Sequence, residues 1–244
     1  KTYAIFFVIG STFLLTTLFL HLCLPELHKT VHSCNLMMHV TSLLVGYIAL
    51  SLGNFETIKA PSTSCTALAY TIQFSFLAAF FWLNVLCIDI SWTFSGLHVL
   101  QGNKLQTKDS RKFIFYSFYA WGCTAILVII TALLDNFSIL PRNSKLKPNL
   151  GERLCWFKYP ESILLYFYGP MGIILFINLL LFLFTIKKID KARKETAILQ
   201  REGSYRHDGK GHGLNEEHRF MLYFKLFLLM GVTWFFEIIS WSIY

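Results

Sequence analysis

Residues 67–94 read ALAYTIQFSFLAAFFWLNVLCIDISWTF, 28 residues in which Asp89 is the sole charge. At ~1.5 Å of helical rise per residue this run exceeds the ~30 Å hydrocarbon layer of a bilayer, for which roughly 20 apolar residues suffice. Five more runs of the same kind occur at 3–24, 34–52, 113–134, 162–186 and 220–244. The first of these is longer than a secretory signal core and leads into Pro25-Glu26-Leu27 rather than a small-residue cleavage site, so it reads as a true span. Composition agrees: 15% of the 244 residues are charged and 55% hydrophobic, against ~25% charged in ordinary soluble domains. The expected fold is therefore an all-α membrane protein with six transmembrane helices. The net charge of +8 does not call for nucleic acid, because basic residues beside membrane helices set topology.

Orientation follows from where those basic residues fall. With Lys1 outside, the cytoplasmic loops hold 14 Lys and Arg and the outer segments 7, with Lys225 inside the last run. The excess belongs on the cytoplasmic side, which predicts an extracellular N-terminus. In that orientation only Cys65 and Cys155 reach the outer face, where oxidation is possible, and they either form one disulfide or stay as two thiols. Cys23, Cys34, Cys87 and Cys123 fall within spans or at their inner ends. The sequon Asn136-Phe137-Ser138 also falls outside, making Asn136 a glycosylation candidate close to the membrane.

Four sets of residues then carry a resemblance. They are Ala78-Ala79-Phe80-Phe81-Trp82-Leu83-Asn84-Val85 with Asp89 and Trp92-Thr93-Phe94; Leu44-Val45-Gly46-Tyr47; Tyr166-Phe167-Tyr168-Gly169-Pro170-Met171; and Phe224-Lys225-Leu226-Phe227 with Met230-Gly231-Val232-Thr233-Trp234 and Glu237-Ile238-Ile239-Ser240. In this order, and with matching loop lengths, they resemble the Methuselah-like receptors of insects, seven-helix G-protein-coupled receptors related to the secretin and adhesion group. The resemblance implies that an N-terminal ectodomain and a seventh helix lie outside this sequence. It implies a disulfide between Cys65 and Cys155, the latter followed by Trp156. The chain departs from the pattern at Ile88 and Ser91, where larger aromatics are frequent in the family.

Ionisable groups within spans are expensive and are therefore functional candidates. By helical rise, Asp89 lies ~33 Å along the third span, while Lys225 and His39 lie ~8 Å into theirs from the cytoplasmic face. All three are expected in one inner polar layer, with Asp89 and Lys225 in contact. The blander reading is that Lys225 snorkels, Asp89 is solvated and His39 is a hydrogen-bonded core residue. Glu237 lies near the outer face and, with Trp156, is a candidate for ligand contact. Pro170 removes a backbone hydrogen bond to Tyr166, so a bend or local unwinding is expected there. Gly169 and Pro170, and Gly231 and Trp234 in the sixth span, are the expected hinge positions.

From Lys187 to Gln200 the fifth helix is expected to continue into the cytosol. Its Lys187, Lys188, Lys191, Arg193 and Lys194 suit a heterotrimeric G protein, or equally anionic membrane lipid. A six-helix transporter or channel is the rival, but no inverted repeat is visible and the middle thirds of the spans carry almost no charge. No His-Glu-x-x-His helix, paired mid-membrane aspartates or Gly-x-Ser-x-Gly supports catalysis, and no cofactor or metal set is expected. The reading is a multi-pass plasma-membrane receptor that couples an extracellular ligand, of peptide or protein kind, to a G protein.

Overall fold

The structure is a computed structural model, and it describes residues 2–24, 30–54, 58, 60–93, 105–137, 141 and 144–202. Among these residues every regular element is helical: α1 (Thr2–Cys23), α2 (Val31–Asn54), α3 (Thr63–Thr93), α4 (Leu105–Asn136), the single turn α5 (Pro160–Ile163), a π segment (Leu164–Tyr168) and α6 (Gly169–Glu202). Helices are what lipid permits, because each backbone N–H and C=O is satisfied within its own segment. The hydroxyls in the spans obey the same rule. Ser11 donates to Phe7 O, Ser42 to Met38 O, Ser51 to Tyr47 O and Thr124 to Ala120 O, each at 2.8 Å and one turn back.

Among the described residues, five stretches are long and apolar enough to cross a membrane: Phe6–Cys23, Val31–Gly53, Thr63–Trp92, Arg111–Asn136 and Pro160–Lys188. The last expected run, 220–244, lies outside the described residues, as do Lys225, Gly231, Trp234 and Glu237. Helix bounds and apolar bounds differ. The helix α4 starts eight residues before the run at 113–134, and α6 carries on sixteen residues beyond the run at 162–186. Apolar residues mark the hydrocarbon layer, whereas a helix ends where its hydrogen bonds end.

The described residues divide into two compact units, one within Lys1–Val85 and Leu105–Ile174 and one within Leu86–Lys104 and Leu175–Tyr244. In the first unit α3 is the core element. Phe76, Leu77, Phe80, Trp82 and Leu83 are all buried to 3% exposure or less. Rings bind α3 to α4: Trp82 stacks on Phe113 and meets Trp121 edge-on, Phe74 stacks on Trp121, and Phe81 meets Tyr119. Polar pairs pin the same interface at two depths, Tyr70 Oη donating to Asp135 Oδ2 at 3.1 Å and Tyr119 Oη to Asn84 Oδ1 at 2.9 Å. On the outer faces of α1 and α4, Phe13, Phe19, Phe115 and Phe118 are exposed, as side chains facing lipid would be. In the second unit, Ser91 of α3 meets Thr185 of α6 at 2.7 Å between hydroxyl oxygens. Both hydroxyls also reach the Leu181 carbonyl oxygen, Thr185 at 2.7 Å and Ser91 at 3.4 Å.

Candidate functional site

The segment 144–159 folds over the N-terminal end of α3 as a compact loop. Asn149 and Gly151 turn the chain with φ of 45° and 76°, and backbone bonds run from Gly151 N–H to Trp156 O and from Lys158 N–H to Pro148 O. Asn tolerates the left-handed region better than most residues, and Gly occupies it without steric cost. The loop meets α3 where Thr66 lies 3.4 Å from Leu150 O, and one residue earlier Cys65 is joined to Cys155 with their Cα atoms 4.7 Å apart. At its far end the buried Ser162 hydroxyl reaches back to Lys145 O at 2.7 Å and Lys147 O at 2.9 Å. Pro160 then opens α5 at the position where a missing N–H costs nothing. On the loop surface the Glu152 carboxylate sits 2.6 Å from Lys158 Nζ and holds that ammonium above its ordinary pKa. Lys145 and Glu161 pair at 3.1 Å in the open, which adds little stability.

From this loop a row of rings runs inward. Trp156 lies edge-on to Phe167 with centroids 5.0 Å apart, Phe167 meets Phe76 at 6.4 Å, Phe76 meets Tyr47 at 6.0 Å and Tyr47 meets Phe7 at 5.8 Å. The loop is thus connected through the π segment to α3, α2 and α1 by contacts of ring on ring. The π segment is what turns Phe167 inward, where it is 3% exposed. Such a wide turn arises where the regular α ladder is interrupted, and Pro170 interrupts it. Gly169 closes it, donating its N–H to Leu164 O five residues back. A Cβ at Gly169 would stand 2.9 Å from that oxygen, so the turn has no room for a side chain there.

Gln73, fully buried on α3, reaches this turn from the side. Its Nε2 lies 2.9 Å from Thr131 Oγ1 of α4 and 3.2 Å from the carbonyl oxygen of Tyr166. The sequence alone does not single out Gln73, Tyr70 or Ser162. Depth is the signal that could have found Gln73: it is six residues into its apolar run and Pro170 is eight into its own, so both sit at about the same level below one membrane face.

The other candidates are distributed. His39 is fully buried and its Nδ1–H donates to Ala79 O of α3 at 2.8 Å, which assigns the tautomer. Asp89 is 8% exposed near the C-terminal end of α3, and Ser91, two residues on, has the Thr185 partner described above. Asn136 closes α4, exposed, with its amide bonded to Ala132 O at 2.9 Å. Lys187 is exposed on α6, Lys188 lays its ammonium 4.8 Å from the centre of the Phe184 ring, and Lys191, Arg193 and Lys194 continue the same helix.

Comparison with known proteins gives one consistent result. A family model described as 7 transmembrane receptor (Secretin family) matches residues 2–243. The chain is 33% identical over 246 residues to the G-protein coupled receptor Mth2 of Drosophila simulans, covering 100% of this chain and 43% of that protein. It is 32% identical over 251 residues to the probable G-protein coupled receptor Mth-like 10 of Drosophila melanogaster, covering 100% and 41%. To the G-protein coupled receptor Mth of Drosophila melanogaster it is 28% identical over 215 residues, covering 87% and 39%. The chain therefore spans less than half the length of these relatives.

Proposed function

We propose that this chain, which belongs to the secretin family of seven-transmembrane receptors, is the membrane portion of a plasma-membrane receptor that converts an extracellular signal into nucleotide exchange on a heterotrimeric G protein. The observation that carries the reading beyond family membership is the loop 144–159, fastened to α3 by Cys65–Cys155 and set ring to ring on Phe167 through Trp156. A covalently anchored loop with its aromatic side chain against the helix bundle passes a push on its surface to the helices beneath. In this reading the N-terminus and the loop face outward, and the ligand is a peptide or protein that presses on the loop and on the outer end of the sixth span near Glu237. The basic surface of α6 from Lys187 to Lys194 faces the G protein and the anionic lipid around it.

The test is exchange on a purified heterotrimer by the complete receptor in lipid nanodiscs. Trp156→Ala removes the loop's ring from Phe167, and basal exchange per folded receptor is expected to change by about fivefold, the scale of an allosteric coupling of ~1 kcal/mol. Equal exchange by wild type and Trp156→Ala would remove the loop from the signalling route. Asp89 and Lys225 are proposed to hold the inner ends of the third and sixth helices in the resting arrangement. Breaking a partly buried pair leaves one charge uncompensated, so Asp89→Ala and Lys225→Ala should each raise basal exchange by about fivefold. The double variant should do no more than either alone, and additive effects would mean that the two side chains act separately.

A further inference from the structure

Tyr166 precedes Pro170 by four residues, so in a regular helix the N–H its carbonyl would accept is the one proline lacks. The amide of Gln73 stands in that place, 3.2 Å from Tyr166 O. A carbonyl oxygen only accepts, so the nitrogen of the Gln73 side chain, not its oxygen, faces Tyr166. The second amide proton goes to Thr131 Oγ1, whose own proton is committed to Leu127 O at 2.9 Å. What remains is Gln73 Oε1, buried and without a hydrogen-bond partner among the described residues. Leu or Met would fill the same volume without burying an unpaired carbonyl, so packing alone does not account for an amide here. Its two donors do.

We infer that Gln73 is a positioning residue for signal transfer: its amide replaces the N–H absent from Pro170, holds the Tyr166 carbonyl, and thereby keeps Phe167 of the π segment seated against Trp156. A π turn carries one extra residue, and its loss turns one side of the helix against the other by ~100°, enough to carry Phe167 off Trp156. Thr131 ties the same amide to α4, so the π segment is referenced to two helices at once. The inference rests on the receptor reading only for its signalling arm, since the hydrogen bond and its consequence for the π segment stand without it.

The experiment is a double-mutant cycle on the complete receptor in nanodiscs, comparing Gln73→Met, Pro170→Ala and the pair with wild type. Amide hydrogen exchange is read over 160–175, with α1 as internal reference, and basal nucleotide exchange on a purified heterotrimer is read in parallel. With Pro170 present, Gln73→Met should speed exchange over 164–172 by about tenfold while α1 stays within about twofold. In the Pro170→Ala background the backbone supplies the missing donor, and the same substitution should change exchange by less than about twofold. Basal nucleotide exchange should follow the same pattern, altered by about threefold or more only where Pro170 is kept. An equal effect in both backgrounds, or none with Pro170 present, overturns the inference. Should Gln73→Met fail to fold, a folded double variant supports it and an unfolded one overturns it. If wild type drives no nucleotide exchange while the hydrogen-exchange cycle is non-additive, the receptor reading fails and the role of Gln73 stands.

Discussion

Replacing Cys155 by Ser in the complete receptor should cost about 2–4 kcal/mol of stability and most of its delivery to the cell surface. The disulfide closes a segment of 90 residues. For a free chain, closing a loop of that length is worth ~4–5 kcal/mol of denatured-state entropy, but here two helices embedded in the membrane already restrict the ends. The lower part of the range therefore applies to the bundle and the upper part to the loop itself. Besides the disulfide, residues 144–159 are held by backbone bonds within the loop, the Glu152–Lys158 and Lys145–Glu161 ion pairs, the Thr66 contact with Leu150 O, the Trp156 and Phe157 rings on Phe167 and Tyr166, and the Ser162 hydroxyl at the far end. Thermal unfolding in detergent, with surface counts in cells, checks this. A variant lacking either cysteine that melts and traffics like wild type would show that the loop holds itself.

Gly151→Ala should be of similar size, about 3 kcal/mol, although no bond is removed. Its φ of 76° costs an L-residue ~1–2 kcal/mol. The added Cβ would also stand 2.5 Å from Thr66 Oγ1 and 3.1 Å from the Thr66 backbone N and Cα. Helix α3 cannot yield at those backbone atoms, so the loop must lift, against the pull of the disulfide one residue before Thr66. Thr66→Ala in the same chain should recover only part of the loss, because it removes the hydroxyl contact and leaves both the backbone contacts and the φ. The melting temperatures of the two variants decide it. A Gly151→Ala receptor within ~0.5 kcal/mol of wild type would mean that the turn relaxes without cost.

The helices were legible in the sequence because lipid imposes a length and a composition on each of them. The interruption near Pro170 was legible for an equally local reason, since proline lacks an N–H in any fold. The partner of the orphaned carbonyl was not. Finding Gln73 requires the rotation of α3 about its axis, and rotation is normally read from an amphipathic stripe. Most side chains of these spans are apolar whether they face protein, as in α3, or are exposed, as on much of α4, so the stripe is faint. The pairs Tyr70–Asp135 and Asn84–Tyr119 were hidden for the same reason. Asp135 stands at the edge of an apolar run and reads as loop, yet it lies within α4 and accepts from Tyr70. His39 was hidden in the same way: it is expected in one inner layer with Asp89, but its bond goes to the Ala79 carbonyl, ten residues before Asp89 in α3. Depth comes from counting residues, facing direction from tertiary packing.

The most direct measurement of the central claim is nucleotide exchange on a panel of purified heterotrimeric G proteins by the complete receptor in nanodiscs, against empty nanodiscs, with solute flux measured on the same protein in sealed liposomes. A receptor is expected to accelerate exchange on at least one heterotrimer, to lose that acceleration when the basic stretch of α6 from Lys187 to Lys194 is neutralised, and to pass no solute. Flux through the liposomes with no exchange on any heterotrimer would contradict the account.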